Sequence, residues 1–220
     1  MINYSHIVRK KIANSKIIIL EDFLKESFYE KIAEEITWLQ KNKKSDKNFT
    51  FNKKIIKKEF TNYNKFGKNQ KKLILLLNSK QFKIFLKKEL KIEFSIFPEK
   101  SKMFSGFNIA EKGSYLRPHA DFNFNNHIKK FRTINLLLYF NNNWKKVFGG
   151  NLSFYNYRNL KKKYEFTAKK NRAIIFLTNK YTIHGYRKIK SAQYRISLNF
   201  YYYTNENLSF DKKPHKTIWR

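Results

Sequence analysis

Residues 132–140 read RTINLLLYF, an almost continuous apolar run. A strand with one wet face alternates apolar and polar residues; a run like this one is suited to burial on both faces. A chain that carries it needs material packed above and below a single sheet.

Candidates for that packing lie on either side in sequence. Residues 24–40, LKESFYEKIAEEITWLQ, place Phe28, Ile32, Ile36 and Leu39 on one helical face. Asn69 to Leu90 reads as a second helical region with a break near Asn78-Ser79, and Lys16 to Phe23 as a short strand whose Asp22 could cap the helix after it. The Lys/Asn-rich stretch from Asn42 to Lys68 reads as loop with one short strand. From about Met103 the period becomes strand-like. MFSGFNIA, the turn EKGS and YLRPHAD form an expected hairpin, and further strands follow at residues 151–156, 172–177 and 194–204. The reading is one α+β domain over residues 1–220. Residues 1–100 are mainly helical support, 101–204 a β-sandwich core, and 205–220 a tail.

Composition narrows the chemistry. There is no cysteine, which excludes disulfides, thiolate nucleophiles, zinc ribbons and iron–sulfur clusters. A metal would need imidazole, carboxylate or carbonyl ligands. No apolar run reaches a membrane-spanning length and no secretory leader is legible, so the expected location is cytoplasmic, without a membrane span. The 48 Lys and Arg against 16 Asp and Glu leave a net charge of +32. Such a surface attracts nucleic acid. The lysines, however, come as scattered pairs (Lys10-Lys11, Lys57-Lys58, Lys87-Lys88, Lys145-Lys146), in a chain also rich in Asn, Ile, Phe and Tyr, all with A/T-rich codons. Compositional drift accounts for the bias, and nucleic acid is not the expected substrate. Oligomeric state is not legible.

Five histidines are available: His6, His119, His127, His184 and His215. His119 and Asp121 in RPHADFN are two apart, so an extended chain turns both to one face. Alone, that pair reads equally well as a surface hydrogen bond. His184 in TIHGY offers a third ligand, with Gly185 beside it allowing close backbone approach to a ligand. His127, in the polar loop NFNNHIKKF, is the rival ligand or a substrate-side residue, and Arg132 at the loop's end is a further substrate candidate. His6 and His215, near the ends of the chain, read as solvated. Two imidazoles and a carboxylate form the facial triad of non-haem Fe(II) oxygenases, with three positions left open. Arg195 and Ser197 in YRISLNF share a strand face and supply a guanidinium and a hydroxyl suited to a carboxylate.

With HAD (119–121), RTINLLLYFNNNW (132–144), GGNL (149–152), NRAIIF (171–176), HG (184–185) and RIS (195–197) in this order, the chain resembles the Fe(II)/2-oxoglutarate-dependent dioxygenases, in their prolyl 4-hydroxylase-like branch. The resemblance implies a double-stranded β-helix, or jelly-roll, core braced by the N-terminal helices. It implies His119, Asp121 and His184 as Fe(II) ligands and catalytic residues, with 2-oxoglutarate on Arg195 and Ser197 and O2 as the second cosubstrate. The tyrosines that prolyl hydroxylases carry near the cosubstrate would fall near Ile109 and Leu138. Tyr115, Asn135 and Asn199 are the polar side chains offered instead, since Tyr139 should alternate to the face opposite Leu138. The implied reaction is hydroxylation of a prolyl residue, an amino acid or a small metabolite. The alternatives are a nucleic-acid-directed oxygenase and a non-catalytic jelly-roll binding protein. A carboxylate at Asp121 favours hydroxylation over halogenation.

Overall fold

A computed structural model describes residues 1–13, 15–51, 54–98, 104–206 and 213–220. Met103, where the strand-like pattern was expected to start, and residues 207–212 of the expected tail lie outside these ranges.

The described elements run β1 (Ile7–Ile12), β2 (Ser15–Leu20), α1 (Glu26–Asn42), β3 (Lys47–Phe51), β4 (Lys54–Phe60), α2 (Lys68–Leu77), α3 (Lys80–Leu90) and β5 (Phe97–Pro98). They continue as β6 (Gly106–Ala110), β7 (Leu116–Ala120), β8 (Phe124–Asn125), β9 (Lys130–Tyr139), β10 (Leu152–Tyr155), β11 (Lys162–Phe166), β12 (Ala173–Leu177), β13 (Ile183–Tyr186), β14 (Arg195–Thr204) and β15 (Ile218–Trp219). A ten-stranded sheet has the order β1-β2-β12-β9-β14-β6-β4-β3, with β5 and β8 on its flanks, and a five-stranded sheet has the order β11-β10-β13-β7-β15. Both sheets are antiparallel throughout.

The long apolar strand β9 sits between β12 and β14 in the middle of the large sheet, as its composition requires. Its Ile134, Leu136 and Leu138 join a core with Phe28, Ile32 and Leu39 of α1, Leu73 of α2 and Phe82 of α3. Tyr139, on the opposite face, joins Ile174 and Phe176 of β12 and Leu152 and Phe154 of β10. The layers are therefore helices, large sheet, small sheet. Each fully buried Leu, Ile or Phe contributes about 1.5–3 kcal/mol. The break between α2 and α3 falls where it was expected, with Ser79 capping α3 by accepting from the Phe82 N–H at 3.2 Å. Asp22 caps nothing: α1 starts after Lys25, whose side chain makes no capping bond.

Two sequence expectations change. The first hundred residues are not mainly helical support, for β1 to β4 extend the large sheet at both edges. β2 and one strand of the β3–β4 stretch were expected, whereas β1 was hard to see because an edge strand is lysine-rich and wet; in its IVRKKI four consecutive residues are exposed. Nor do β6 and β7 form a hairpin. β6 pairs with β4 and β14 of the large sheet, β7 with β13 and β15 of the small one, so the EKGS turn carries the chain from one sheet to the other. Among the described residues, no helix is long and apolar enough to cross a membrane.

Candidate metal centre

β13 lies between β10 and β7, with His184 directly opposite His119 on one side and Phe154 on the other. Opposed residues on antiparallel strands point to the same face. Both imidazoles therefore turn into the space between the sheets, their ring centroids 4.5 Å apart. Gly185 serves this pairing. A Cβ there would come within 2.6 Å of the Leu116 carbonyl oxygen, so its role is the approach of β13 to β7, not to a ligand as expected.

Asp121 lies just past the end of β7. Its Oδ1 is 3.4 Å from His119 Nε2 and its Oδ2 3.4 Å from His184 Nε2. Each ring uses Nδ1 on a backbone carbonyl, that of Arg117 at 2.9 Å for His119 and that of Thr182 at 3.0 Å for His184. A carbonyl only accepts, so Nδ1 carries the proton and Nε2 keeps its lone pair for a ligand. Neighbouring ligands about 2.1 Å from one metal ion lie about 3 Å apart. One ligand atom from each residue lies within 4.8 Å of the others, so the donor set and its spacing fit a divalent metal such as Fe(II).

The large sheet supplies the opposite wall. Asn135 Nδ2 donates to Asp121 Oδ2 at 2.6 Å, Arg132 Nη2 donates to the same oxygen at 3.1 Å, and Arg132 Nε donates to Asn135 Oδ1 at 3.0 Å. Strict alternation would turn Arg132 away from the face of Asn135. The ladder slips by one residue, however: Tyr202 opposes Ile134 while Tyr203 opposes Arg132, and this bulge brings the guanidinium onto the metal side. Burial would raise the Asp121 pKa, but the Arg132 guanidinium first, with the neighbouring His184 and His119 rings, outweighs it and holds the carboxyl well below the usual carboxylate range. Burial likewise pushes His184 down to about 4, against the pull of Asp121. An ionised carboxylate and a neutral imidazole are the forms that bind a metal.

A cavity of about 430 Å³ holds the triad, Arg132, Asn135, Arg195 and Ser197. Arg195 is 4% exposed. Its Nε donates to the Gly150 carbonyl at 2.6 Å and its Nη2 to the Tyr139 hydroxyl at 3.2 Å, and the guanidinium lies 4.4 Å from the Tyr186 ring centre. Gly150, at φ +66°, leaves it room: a Cβ would stand 2.8 Å from Arg195 Cδ. Among the described residues, Arg195 has no carboxylate partner, an uncommon state for a buried charge. Ser197 Oγ donates to Asn199 Oδ1 at 3.0 Å on the same face.

Two expected site residues stand elsewhere. Tyr115, 47% exposed in the turn before β7, does not line the cavity. The tyrosine beside Arg195 is instead Tyr139, which shares a face with Asn135 and Leu137 and therefore points into the space between the sheets. Counting by twos from Asn135 would have found it. His127 is exposed and lies away from the triad, in an adjoining groove with Phe122, Phe124 and His215. His215 is not merely solvated, since its N–H donates to Asn123 Oδ1 at 2.7 Å. Unforeseen on the cavity wall are Asn108, opposite Ser197, Tyr186, two residues beyond His184, and Trp219. Tyr186 was findable by the same alternation, whereas Trp219 reaches the site only through a long-range pairing.

Residues 105–203 match a family model described as the 2OG-Fe(II) oxygenase superfamily. No curated protein matches the sequence. Among solved structures, a prolyl 4-hydroxylase of Phytophthora capsici is similar at 17% identity and a TM-score of 0.62, over 89% of this chain and 61% of that one. A prolyl-4-hydroxylase of Pseudomonas putida is similar at 13% identity and a TM-score of 0.59, over 87% of this chain and 93% of that one. A Trichoplax adhaerens prolyl hydroxylase, solved with a peptide fragment of a hypoxia inducible factor, is similar at 17% identity and a TM-score of 0.57, over 86% and 83%. The chain thus spans 61% of the length of the Phytophthora protein, and at these identities the likeness is one of fold.

Proposed function

We propose, from the match of residues 105–203 to the 2OG-Fe(II) oxygenase superfamily, whose enzymes use Fe(II), 2-oxoglutarate and O2, that the chain hydroxylates an unactivated C–H bond of a prolyl residue, an amino acid or a similar small molecule, releasing succinate and CO2. The observation that carries this reading is the meeting, in one cavity, of the His119–Asp121–His184 triad with a buried Arg195 that has no carboxylate partner among the described residues. The two facing sheets are read as a double-stranded β-helix with the metal between them.

His119 and His184 would hold the metal through Nε2 and Asp121 through its carboxylate, while the Arg117 and Thr182 carbonyls fix both rings. Iron with 2-oxoglutarate and O2 supplies the oxidising chemistry; the side chains bind, orient and exclude. Arg195 would take the distal carboxylate of the cosubstrate, with Ser197 and Tyr139 beside it as hydroxyl partners. Arg132 and Asn135 hold Asp121 ionised and aimed at the metal. The likeness to prolyl hydroxylases supports a peptidyl or free prolyl substrate over nucleic acid.

Succinate release tests the reading. Purified protein with Fe(II), 2-oxoglutarate and ascorbate should release succinate, stimulated by a member of a panel of prolyl peptides, amino acids and small metabolites, and His184→Ala should abolish the release. Stimulation confined to single-stranded nucleic acid at physiological salt would transfer the substrate to that class. No succinate under any condition would overturn the assignment.

A further inference from the structure

The last residues of the segment expected to be a tail return to the candidate metal site. Ile218 and Trp219 of β15 pair with Ala120 and His119 of β7, and the Arg220 N–H donates to the Pro118 carbonyl at 2.8 Å. Ahead of that strand, one buried side chain holds the backbone: Asn123, 1% exposed. Its Oδ1 accepts from the His215 N–H at 2.7 Å, its Nδ2 donates to the Lys213 carbonyl at 3.2 Å, and its own N–H donates to the His215 carbonyl at 3.2 Å. The amide is used on both of its ends by this one segment, a close fit of side chain to backbone rather than a loose association.

The pairing has a consequence for the site. Because Trp219 is in register with His119, indole and imidazole share a face, with ring centroids 5.0 Å apart. The Arg117 guanidinium lies 5.5 Å from the indole centre. Trp219 is still 49% exposed, and it lines the cavity that holds the triad. The core between the sheets closes without it, through Leu152, Phe154, Ile174 and Phe176. An indole held beside a metal ligand, left half open toward the metal-site cavity and not needed by the core, presents a flat apolar face where a substrate must lie.

We propose that Trp219 is a substrate-contacting residue against which the C–H-bearing part of the substrate, a saturated ring or alkyl segment, is laid, and that Asn123 is the positioning residue that keeps residues 213–220 in place for this purpose. The inference rests on the oxygenase reading above and adds to it the wall that orients the substrate.

The test combines a binding readout with kinetics on the full chain. Co(II), added to metal-free protein, quenches nearby tryptophans. Of Trp38, Trp144 and Trp219, the last has its ring centre 5.0 Å from that of the proposed metal ligand His119, so Trp219→Phe should lose most of the Co(II) quench while Trp38→Phe, on the exposed face of α1, keeps it. In succinate assays with poly-L-proline and free L-proline as probes, Trp219→Ala should raise the KM for the probe that turns over by tenfold or more. The cosubstrate KM should rise less than threefold, and Trp219→Phe should recover most of the loss. Asn123→Ala should reproduce the probe effect and shift tryptophan emission to the red. An unchanged probe KM in Trp219→Ala beside an active wild type would overturn the inference alone. So would equal losses in probe, 2-oxoglutarate and Co(II) binding, which would make Trp219 a mere support for His119. A wild type that releases no succinate with any probe would remove the oxygenase reading and this inference with it.

Discussion

Replacing Arg195 by methionine should separate cosubstrate binding from folding. Two of the five guanidinium N–H donors are used within the protein, by the Gly150 carbonyl and the Tyr139 hydroxyl. Among the described residues the others have no carboxylate partner and can meet one from a ligand. Removing the cation that pairs with a buried carboxylate costs about 3 kcal/mol, or about a hundredfold in affinity. Without 2-oxoglutarate the same change relieves a buried, unpaired charge while removing two hydrogen bonds worth about 1 kcal/mol each, so the unliganded stability should move by only about 1 kcal/mol. Thermal melting with Mn(II) reads both effects. At a 2-oxoglutarate concentration of about 100 Kd, ligand stabilises the wild type by about 2.7 kcal/mol, which is about 5–10 °C for a chain of this size. Arg195→Met at the same concentration should retain about 0.4 kcal/mol, about 1 °C. Arg172→Met is the control, because that guanidinium is paired with Glu21 at 2.6 Å and should leave the ligand-induced shift intact. If Arg195→Met keeps most of its 2-oxoglutarate shift, Arg195 does not anchor the cosubstrate.

Gly150→Ala puts a Cβ 2.8 Å from Arg195 Cδ at φ +66°, so melting should fall by about 2–8 °C from about 1–2 kcal/mol of backbone strain, with weakened 2-oxoglutarate binding from the displaced guanidinium. Unaltered cosubstrate affinity would show that Arg195 does not depend on this glycine. Asn135→Leu removes the 2.6 Å bond to Asp121 and should weaken Mn(II) binding about 10- to 100-fold, measured by calorimetric titration; equal affinity would deny Asn135 a role in aiming the carboxylate. Burial would raise the Glu21 pKa, but hydrogen bonds and charge from Arg172 and Lys169 bring it below its ordinary 4.5. Its contribution to stability is present above that value and lost as pH falls below it. Glu21→Gln should therefore flatten the acid limb of a stability–pH curve, and an identical slope in the variant would refute the linkage.

The His119–Asp121 and Arg195–Ser197 pairs were legible in the sequence because strand alternation is a local rule. His119 and Asp121 share a face for that reason, as do Arg195 and Ser197, and the doubly apolar β9 announced a middle layer with helices on one side and a second sheet on the other. The same rule, applied from Asn135, would have turned Tyr139 toward Arg195 and spared the substitution of Tyr115, which the fold leaves at the surface. What only the tertiary structure decided is where alternation is broken or where distant strands meet. The bulge opposite Tyr202-Tyr203 brings Arg132 onto Asp121, and a bulge is a property of two strands in register, not of one. The lysine-rich edge strand β1 carries no pattern that distinguishes it from loop, because four of its six residues stay exposed, and of β3 and β4 only one short strand was expected in the Lys/Asn-rich stretch that holds them. Trp219 comes to lie on His119 because Asn123 and an open edge of the small sheet receive residues 213–220. That pairing is made by backbone hydrogen bonds, which any sequence can form and none spells out.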